Sequence, residues 1–408
     1  MKRFCLICAA LALIVLALAP PSARGQQAGS SGFSDKATGG WGGVRQRLEA
    51  EGITIEADSV LEGFINFRGG IRTNTLVAAS TSDLSLGIDA GKLLGWSGAK
   101  FYMDLEDHGG RNPSKVLVGD LQIFDKQNTM PYLQIFELWY QQKLCNGRLR
   151  IKIGKVDANT EFSVVDNGLS FLNSSSQVSP TLFVFPTTPD PMPSANVFFT
   201  PCKFWYLSLG AYYANRSDRF GEIIDNPSAA QLTDFGTFLI GETGLKWGSA
   251  PFFPYAGNVR GGFWDHTGTF TRFDGSEQQG AYGGYAIFDQ TLWQPPGEPA
   301  DGRGVRAFLE YGRTQKTIDP IYQHIGGGVT WTGLFACRPE DIAGFSPQYA
   351  YLSSGAGLSF SYELALEAFY RFKVTPWATV QPDLQYIVHP GGKYPDALVA
   401  TMSMKVDF

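Results

Sequence analysis

Long apolar runs are nearly absent from this chain. Past residue 19 no stretch approaches the ~20 apolar residues that a spanning helix needs, so a bundle of membrane helices is excluded. Cysteine is scarce: Cys5 and Cys8 lie in the first apolar stretch, which leaves Cys145, Cys202 and Cys337. Three scattered cysteines make neither a disulfide framework nor a zinc spacing. The histidines are His108, His266, His324 and His389, and no metal-ligand spacing, serine-centred elbow or zinc signature accompanies them. His108 follows Asp107 directly, and neighbours on a strand point to opposite faces, so the two form no catalytic pair. Positive charge is not in excess either, with 33 basic against 38 acidic residues. That balance argues against a nucleic-acid partner, which would want a basic surface. The glycine clusters at Gly69-Gly70, Gly109-Gly110 and Gly326-Gly327-Gly328 follow no phosphate-loop spacing and suit turns or bends. No cofactor, metal or catalytic group is expected.

The first 25 residues have the layout of a secretory signal. Met1-Lys2-Arg3 is a basic start, Phe4 to Ala19 is apolar, and Ala23-Arg24-Gly25 offers small residues for cleavage. A spanning anchor would need a longer apolar run. Removal of this segment takes Lys2, Arg3 and Arg24 but no acid, leaving 30 basic and 38 acidic residues and a net charge of −8. Residues 26–52 then read as a periplasmic segment. Within it 41–51 is expected to form one short helix, with Val44 and Leu48 on one face and Gly52 as its stop.

From residue 53 to 408 the dominant signal is alternation. At the very end Ala400, Met402, Met404, Val406 and Phe408 share one face of a strand, while Thr401, Ser403, Lys405 and Asp407 share the other. Residues 53–67 do the same, with Ile53, Ile55, Ala57, Leu61, Ile65 and Phe67 set against Glu56, Asp58, Glu62 and Asn66. Further segments follow at 84–90, 101–105, 135–143, 149–153, 195–200, 204–214, 236–247, 255–264 and 281–293. After them come 305–313, 324–334, 342–352, 362–374, 379–389 and 398–408, sixteen in all. Cys145-Asn146-Gly147 marks one tight hairpin. Short connections at 91–97, 145–147 and 375–378 are expected on one rim, and long ones at 108–132, 157–194 and 215–235 on the other.

A soluble sandwich or propeller also alternates. Here most segments exceed the usual five or six residues, charges recur on one face, and aromatics gather near segment ends. The expected fold is therefore all-β: a transmembrane antiparallel barrel of about sixteen strands with a wet lumen.

Several blocks resemble the carbohydrate-selective porin family of the OprB type. They are Glu137-Leu138-Trp139-Tyr140 with Gly147-Arg148-Leu149, the run Ile153-Gly154-Lys155-Val156-Asp157-Ala158-Asn159-Thr160-Glu161-Phe162, and Phe171-Leu172-Asn173-Ser174-Ser175. Gly40-Trp41-Gly42-Gly43-Val44-Arg45, Lys92-Leu93-Leu94-Gly95-Trp96, Tyr370-Arg371-Phe372, Thr375-Pro376-Trp377 and Gln381-Pro382-Asp383-Leu384-Gln385-Tyr386 are similar as well. The resemblance implies a sixteen-stranded outer-membrane pore of a Gram-negative cell through which sugars, glucose above all, diffuse passively. Its surroundings would be outer-membrane lipid and lipopolysaccharide, and a homo-oligomer stays open.

A pore for neutral sugars wants rings to stack on pyranose faces and charged groups to hydrogen-bond hydroxyls. The inward parity selects Asp104, Glu106, Glu137, Glu363, Arg148, Arg150 and Arg371, with Arg111 and Asp120 from the loop 108–132. Tyr102, Trp139 and Trp264 are the stacking candidates, each of which could equally serve as an interface aromatic. Inward acids and bases are near balance, which favours polar neutral solutes over one sign of ion. The loop at 157–194 carries Phe162, Val164, Phe171, Phe183 and Phe185, so it is expected to fold into the lumen rather than cap it from outside. A general or organic-acid-selective porin, or an outer-membrane hydrolase, are the alternatives.

Overall fold

A computed structural model describes residues 35–126, 131–214, 222–224, 236–248, 254–299 and 302–408. The expected signal segment lies outside these residues. A single turn at Trp41–Gly43 leads into helix α1 (Val44–Glu51), which Gly52 ends in a left-handed conformation, φ 93°. Trp41 and Leu48 pack on Ile55, Ala57 and Leu84 near the turn end of the first two strands.

The chain then forms β1 (Ile53–Arg68), β2 (Leu76–Asp89), β3 (Ala99–Gly110), β4 (Tyr132–Leu144), β5 (Leu149–Val156) and β6 (Met192–Cys202). It continues with β7 (Trp205–Tyr213), β8 (Glu222–Ile224), β9 (Thr237–Trp247), β10 (Gly257–Thr271), β11 (Glu277–Trp293) and β12 (Gly304–Thr314). The last five are β13 (Ile321–Thr332), β14 (Ile342–Leu352), β15 (Tyr362–Thr375), β16 (Ala378–Val388) and β17 (Ala397–Asp407). Each long strand pairs antiparallel with its sequence neighbours, and β17 returns to β1 through the register Asp58↔Asp407 to Arg68↔Leu398. The result is a closed sixteen-stranded barrel, because β8 only extends the loop end of β4. Closure leaves no free edge, which is what a sheet in lipid requires.

Every expected strand has its counterpart, with boundaries moved by a few residues at most rims. β2 and β3 are longer than expected because Ser and Asp residues in 76–83 and the Asp107-His108-Gly109-Gly110 end still pair. Apolar residues of the outward parity are open to the surroundings, among them Leu61, Leu138, Ile153, Leu209, Phe263, Leu309 and Met402. The inward parity carries Glu62, Asn66, Glu242, Gln348 and Glu367, all buried. This is the inside-out pattern of a barrel that meets lipid. Outward aromatics form clusters at both ends, Trp96 with Phe101 and Tyr140 on the turn side, and Tyr349 with Tyr351 and Tyr362 on the loop side.

The expected rims also hold. Residues 145–147 turn through three left-handed conformations, ending at Gly147, φ 82°. Residues 111–131 and 157–191 are the long connections of the opposite rim, and most of the third, 215–235, lies outside the described residues.

Candidate functional site

The connection 157–191 enters the barrel instead of covering it. Phe162, Val165, Phe171, Leu172, Leu182, Val184 and Phe185 are buried, and most of them join a cluster with the inward Phe198, Tyr212, Phe238, Trp264, Tyr285, Phe308 and Phe369. Lumen-facing glycines make the seat. A Cβ at Gly328 would stand 2.5 Å from Phe308 and 3.2 Å from Phe171, and one at Gly344 would stand 3.0 Å from Phe171. At Gly312 it would meet Ser179 Oγ at 2.1 Å. Glycines on three consecutive strands thus leave a trough that any larger residue would fill. Their sequence signal is the inward parity of Gly312, Gly328 and Gly344, visible only once the loop's destination is known.

Backbone hydrogen bonds to wall carboxylates fix the loop in that trough. Leu172 and Asn173 donate their amides to Glu367 at 2.6 and 3.1 Å. Asp166 and Asn167 donate to Asp289, Ser163 donates to Glu242, and Asp157 donates to Glu137. The second inward loop, over its described residues 111–126, is held likewise. Leu121 and Gln122 donate to Glu363, which also accepts the Gly391 amide at 2.6 Å. The two loops bond each other through Lys126 N–H to Leu172 O and Ser174 N–H to Ile123 O. A buried carboxylate needs such donors, and a buried loop needs such acceptors, so each removes the other's cost.

The candidate residues divide on this basis. Glu363 faces inward but is fully enclosed by its three backbone donors. Trp264 is enclosed too, stacked on Phe238 at 5.7 Å and edge-on to Phe183. Arg371 donates to Ser170 O at 2.8 Å and to Gln381, steadying the loop. Asp120 accepts the Phe124 amide and so shapes its own loop, while Arg111 is exposed on the loop side. Arg148 is exposed at the turn end.

Tyr102, Trp139 and Arg150 stay on the passage. The rings of Tyr102 and Trp139 stack across β3 and β4, centroids 4.9 Å apart and planes within 21°. Lys152 Nζ sits 4.0 Å over the Trp139 ring, and the Arg150 guanidinium 3.5 Å over Phe198. Glu161 of the loop joins both cations, at 2.6 Å from Arg150 and 2.5 Å from Lys152. Burial alone would raise the Glu161 carboxyl, yet the hydrogen bond from Arg150 and the charge of Lys152 hold it below the usual carboxylate range. Glu161 and Phe198 were not among the sequence candidates. Glu161 lay inside one of the family-like blocks, and Phe198 had the inward parity, but neither signal said that they would meet.

Asp104, Glu106 and Glu137 belong to a wall of acids. The register aligns Asp407, Asp58, Asp83 and Glu106 across β17, β1, β2 and β3. The next row aligns Glu56, Ser85, Asp104 and Glu137. Lys405 bridges Asp58 and Asp407 at 3.3 and 3.4 Å, and Tyr132 OH donates to Glu106. Acids thus cluster from β17 to β4 with Lys405 among them, while Arg150, Lys152 and Arg260 stand beside acid partners of their own. Among the described residues, cavities remain on either side of the inward loop. The loop-side one, of about 650 Å³, is bordered by Asp83, Glu106, Lys126 and Asp157. The turn-side one, of about 580 Å³, is bordered by Arg150, Glu161, Phe198, Tyr206 and Arg260.

A closed barrel, greasy outside and charged within, narrowed by loops from one rim, defines an outer-membrane diffusion channel. The model of the carbohydrate-selective porin OprB family matches residues 73–408, and the chain belongs to that family. It is an outer-membrane porin of the Gram-negative kind. It is similar to Porin B of Pseudomonas aeruginosa, 24% identical over 91% of this chain and 90% of the relative. It is also similar to the putative porin QuiX of Acinetobacter baylyi, 22% identical over 91% and 92%. The solved structure of Pseudomonas putida OprB at high pH superimposes with a TM-score of 0.82 at 21% identity, covering 93% of this chain and 99% of that one.

Proposed function

We propose that this porin passes neutral monosaccharides such as glucose, by diffusion and without a reaction, along the wall formed by β3, β4 and β5. The observation that carries this reading is the stacked Tyr102–Trp139 pair beside the Arg150–Glu161–Lys152 group. The rings offer a flat apolar face for the C–H side of a pyranose. Charged donors and acceptors alongside, with Asp104 and Glu137 on the neighbouring row, can hydrogen-bond its hydroxyls. No covalent step is needed: a channel works when wall contacts are strong enough to admit a solute and weak enough to release it. The mature chain would begin after residue 25, with residues 26–52 on the periplasmic side.

The test is single-channel recording in a planar bilayer with added glucose. Glucose should partly block the current, and Trp139→Ala should weaken that block about tenfold, the loss of one aromatic contact of about 1 kcal/mol or slightly more. An unblocked current in the unmodified channel, or a Trp139→Ala channel with unchanged block, would sink this reading. Swelling of proteoliposomes in glucose gives an independent measure of passage.

A further inference from the structure

On the turn side of the inward loop, the structure assigns a second binding site, for polyhydroxy carboxylates such as aldonates or uronates. This goes beyond the neutral-sugar reading and uses different residues. The turn-side cavity is bordered by Lys143 at the end of β4, Lys203 in the β6–β7 turn and Lys246 at the end of β9. All three are exposed, and no carboxylate among the described residues pairs with them. The acids that share the cavity are already occupied. Glu161 is held by Arg150 and Lys152, and Asp166 by Arg260. Glu242 accepts the Ser163 amide and the hydroxyls of Tyr206 and Tyr285. The cavity lining sets five cations, Lys143, Arg150, Lys203, Lys246 and Arg260, against three acids, Glu161, Asp166 and Glu242, so the cavity attracts negative charge.

The cavity is also built for more than charge. Tyr206 beside Lys246 and Phe198 beneath Arg150 supply the rings, and Thr160, Thr200, Ser208 and Gln141 supply polar groups. A volume of about 580 Å³ takes a monosaccharide with its hydration. A ligand with one carboxylate and several hydroxyls satisfies both halves of the site. A simple anion satisfies only the lysines, and a neutral sugar only the rings and hydroxyl partners.

The experiment is single-channel recording with D-gluconate, glucose and acetate added in turn to the turn side of the full-length mature channel. The channel carrying Lys143→Gln, Lys203→Gln and Lys246→Gln is compared under the same conditions. All three side chains are exposed, so the barrel should fold as before, and its heat-modifiable migration on a gel checks this. Gluconate should block at concentrations about tenfold below glucose, acetate should not block, and the triple variant should lose the gluconate advantage while keeping the glucose block. Equal block by gluconate and acetate, or a gluconate block untouched in the triple variant, overturns the site. Glucose block with no gluconate advantage overturns this inference alone, whereas absence of block by either solute overturns the neutral-sugar reading as well.

Discussion

The two halves of the lumen wall use the same kind of residue for different purposes. From β9 to β16 the inward acids Glu242, Asp289, Glu363 and Glu367 spend their lone pairs on loop amides, beside glycines and phenylalanines that seat the loops. From β17 through β4 the inward acids stand in rows beside one another, with Asp58 and Asp407 about a third exposed and Lys405 between them. The first half is a foundation, and the second is chiefly a passage wall, with Glu137 on β4 also taking the Asp157 loop amide. An inward glutamate on this barrel can face the passage only where no loop lies over it. Covered, it is an anchor whose removal strands buried N–H groups.

Breaking the foundation should have the largest effect. Glu363→Ala with Glu367→Ala removes the acceptors for five backbone amides, each worth about 1.5–3 kcal/mol when the acceptor is charged. The expected outcome is a larger and noisier single-channel conductance together with a lower unfolding temperature; a variant that conducts like its parent would show that the loops do not depend on these anchors. Gly328→Val attacks the seat instead. Its side chain would collide with Phe308 and Phe171, at an overpacking cost of about 1–3 kcal/mol, and protease cleavage within 157–191 of the folded variant should rise. Unchanged cleavage would mean the trough has more room than these distances allow.

On the passage side, Asp58→Asn with Asp83→Asn should leave stability and loop protection nearly intact. Cation preference, read as the reversal potential in a salt gradient, should fall severalfold at low salt and less at high salt, because a close charge in water is worth about 1 kcal/mol and is screened. An unmoved reversal potential would remove the acid rows from the conduction path.

The smallest effect is a pH slope. In the inward loop, burial pushes the Asp157 carboxyl up to about 6, against an unfolded value near 4. Between about pH 4 and 6 the folded chain keeps a proton that the unfolded chain has lost, so this group's contribution to stability falls as pH rises through that window and is level outside it. Asp157→Asn should therefore gain stability relative to the parent between pH 4.5 and pH 7, read from denaturation midpoints at the two values. A constant difference would mean that Asp157 is better solvated than its surroundings indicate.

Strand positions were legible because lipid and water impose a period of two on every strand of such a barrel. Leu61 beside Glu62 and Met402 beside Ser403 record the alternation without reference to any other part of the chain. The entry of 157–191 into the lumen was legible as well, since Phe162, Phe171 and Phe185 have nowhere to hide outside a folded interior. Parity placed Trp264 and Glu363 on the inner face correctly, but parity is a property of one strand and does not report what lies over it. Phe183 and the Leu121–Gln122 amides, which cover them, come from loops distant along the chain. Glu161 joined Arg150 and Lys152 for the same reason, through the path of a loop that no local pattern encodes.

The sequence by itself determined that the chain crosses a membrane as strands, which face of each strand is wet, and which rim carries the long connections. Those properties follow from each residue's preference for lipid or water, which acts locally. Tertiary structure alone decided which inward charges remain in contact with the passage and which became anchors. That division depends on which surfaces meet through space, and a carboxylate takes whichever donors the fold brings within hydrogen-bond reach.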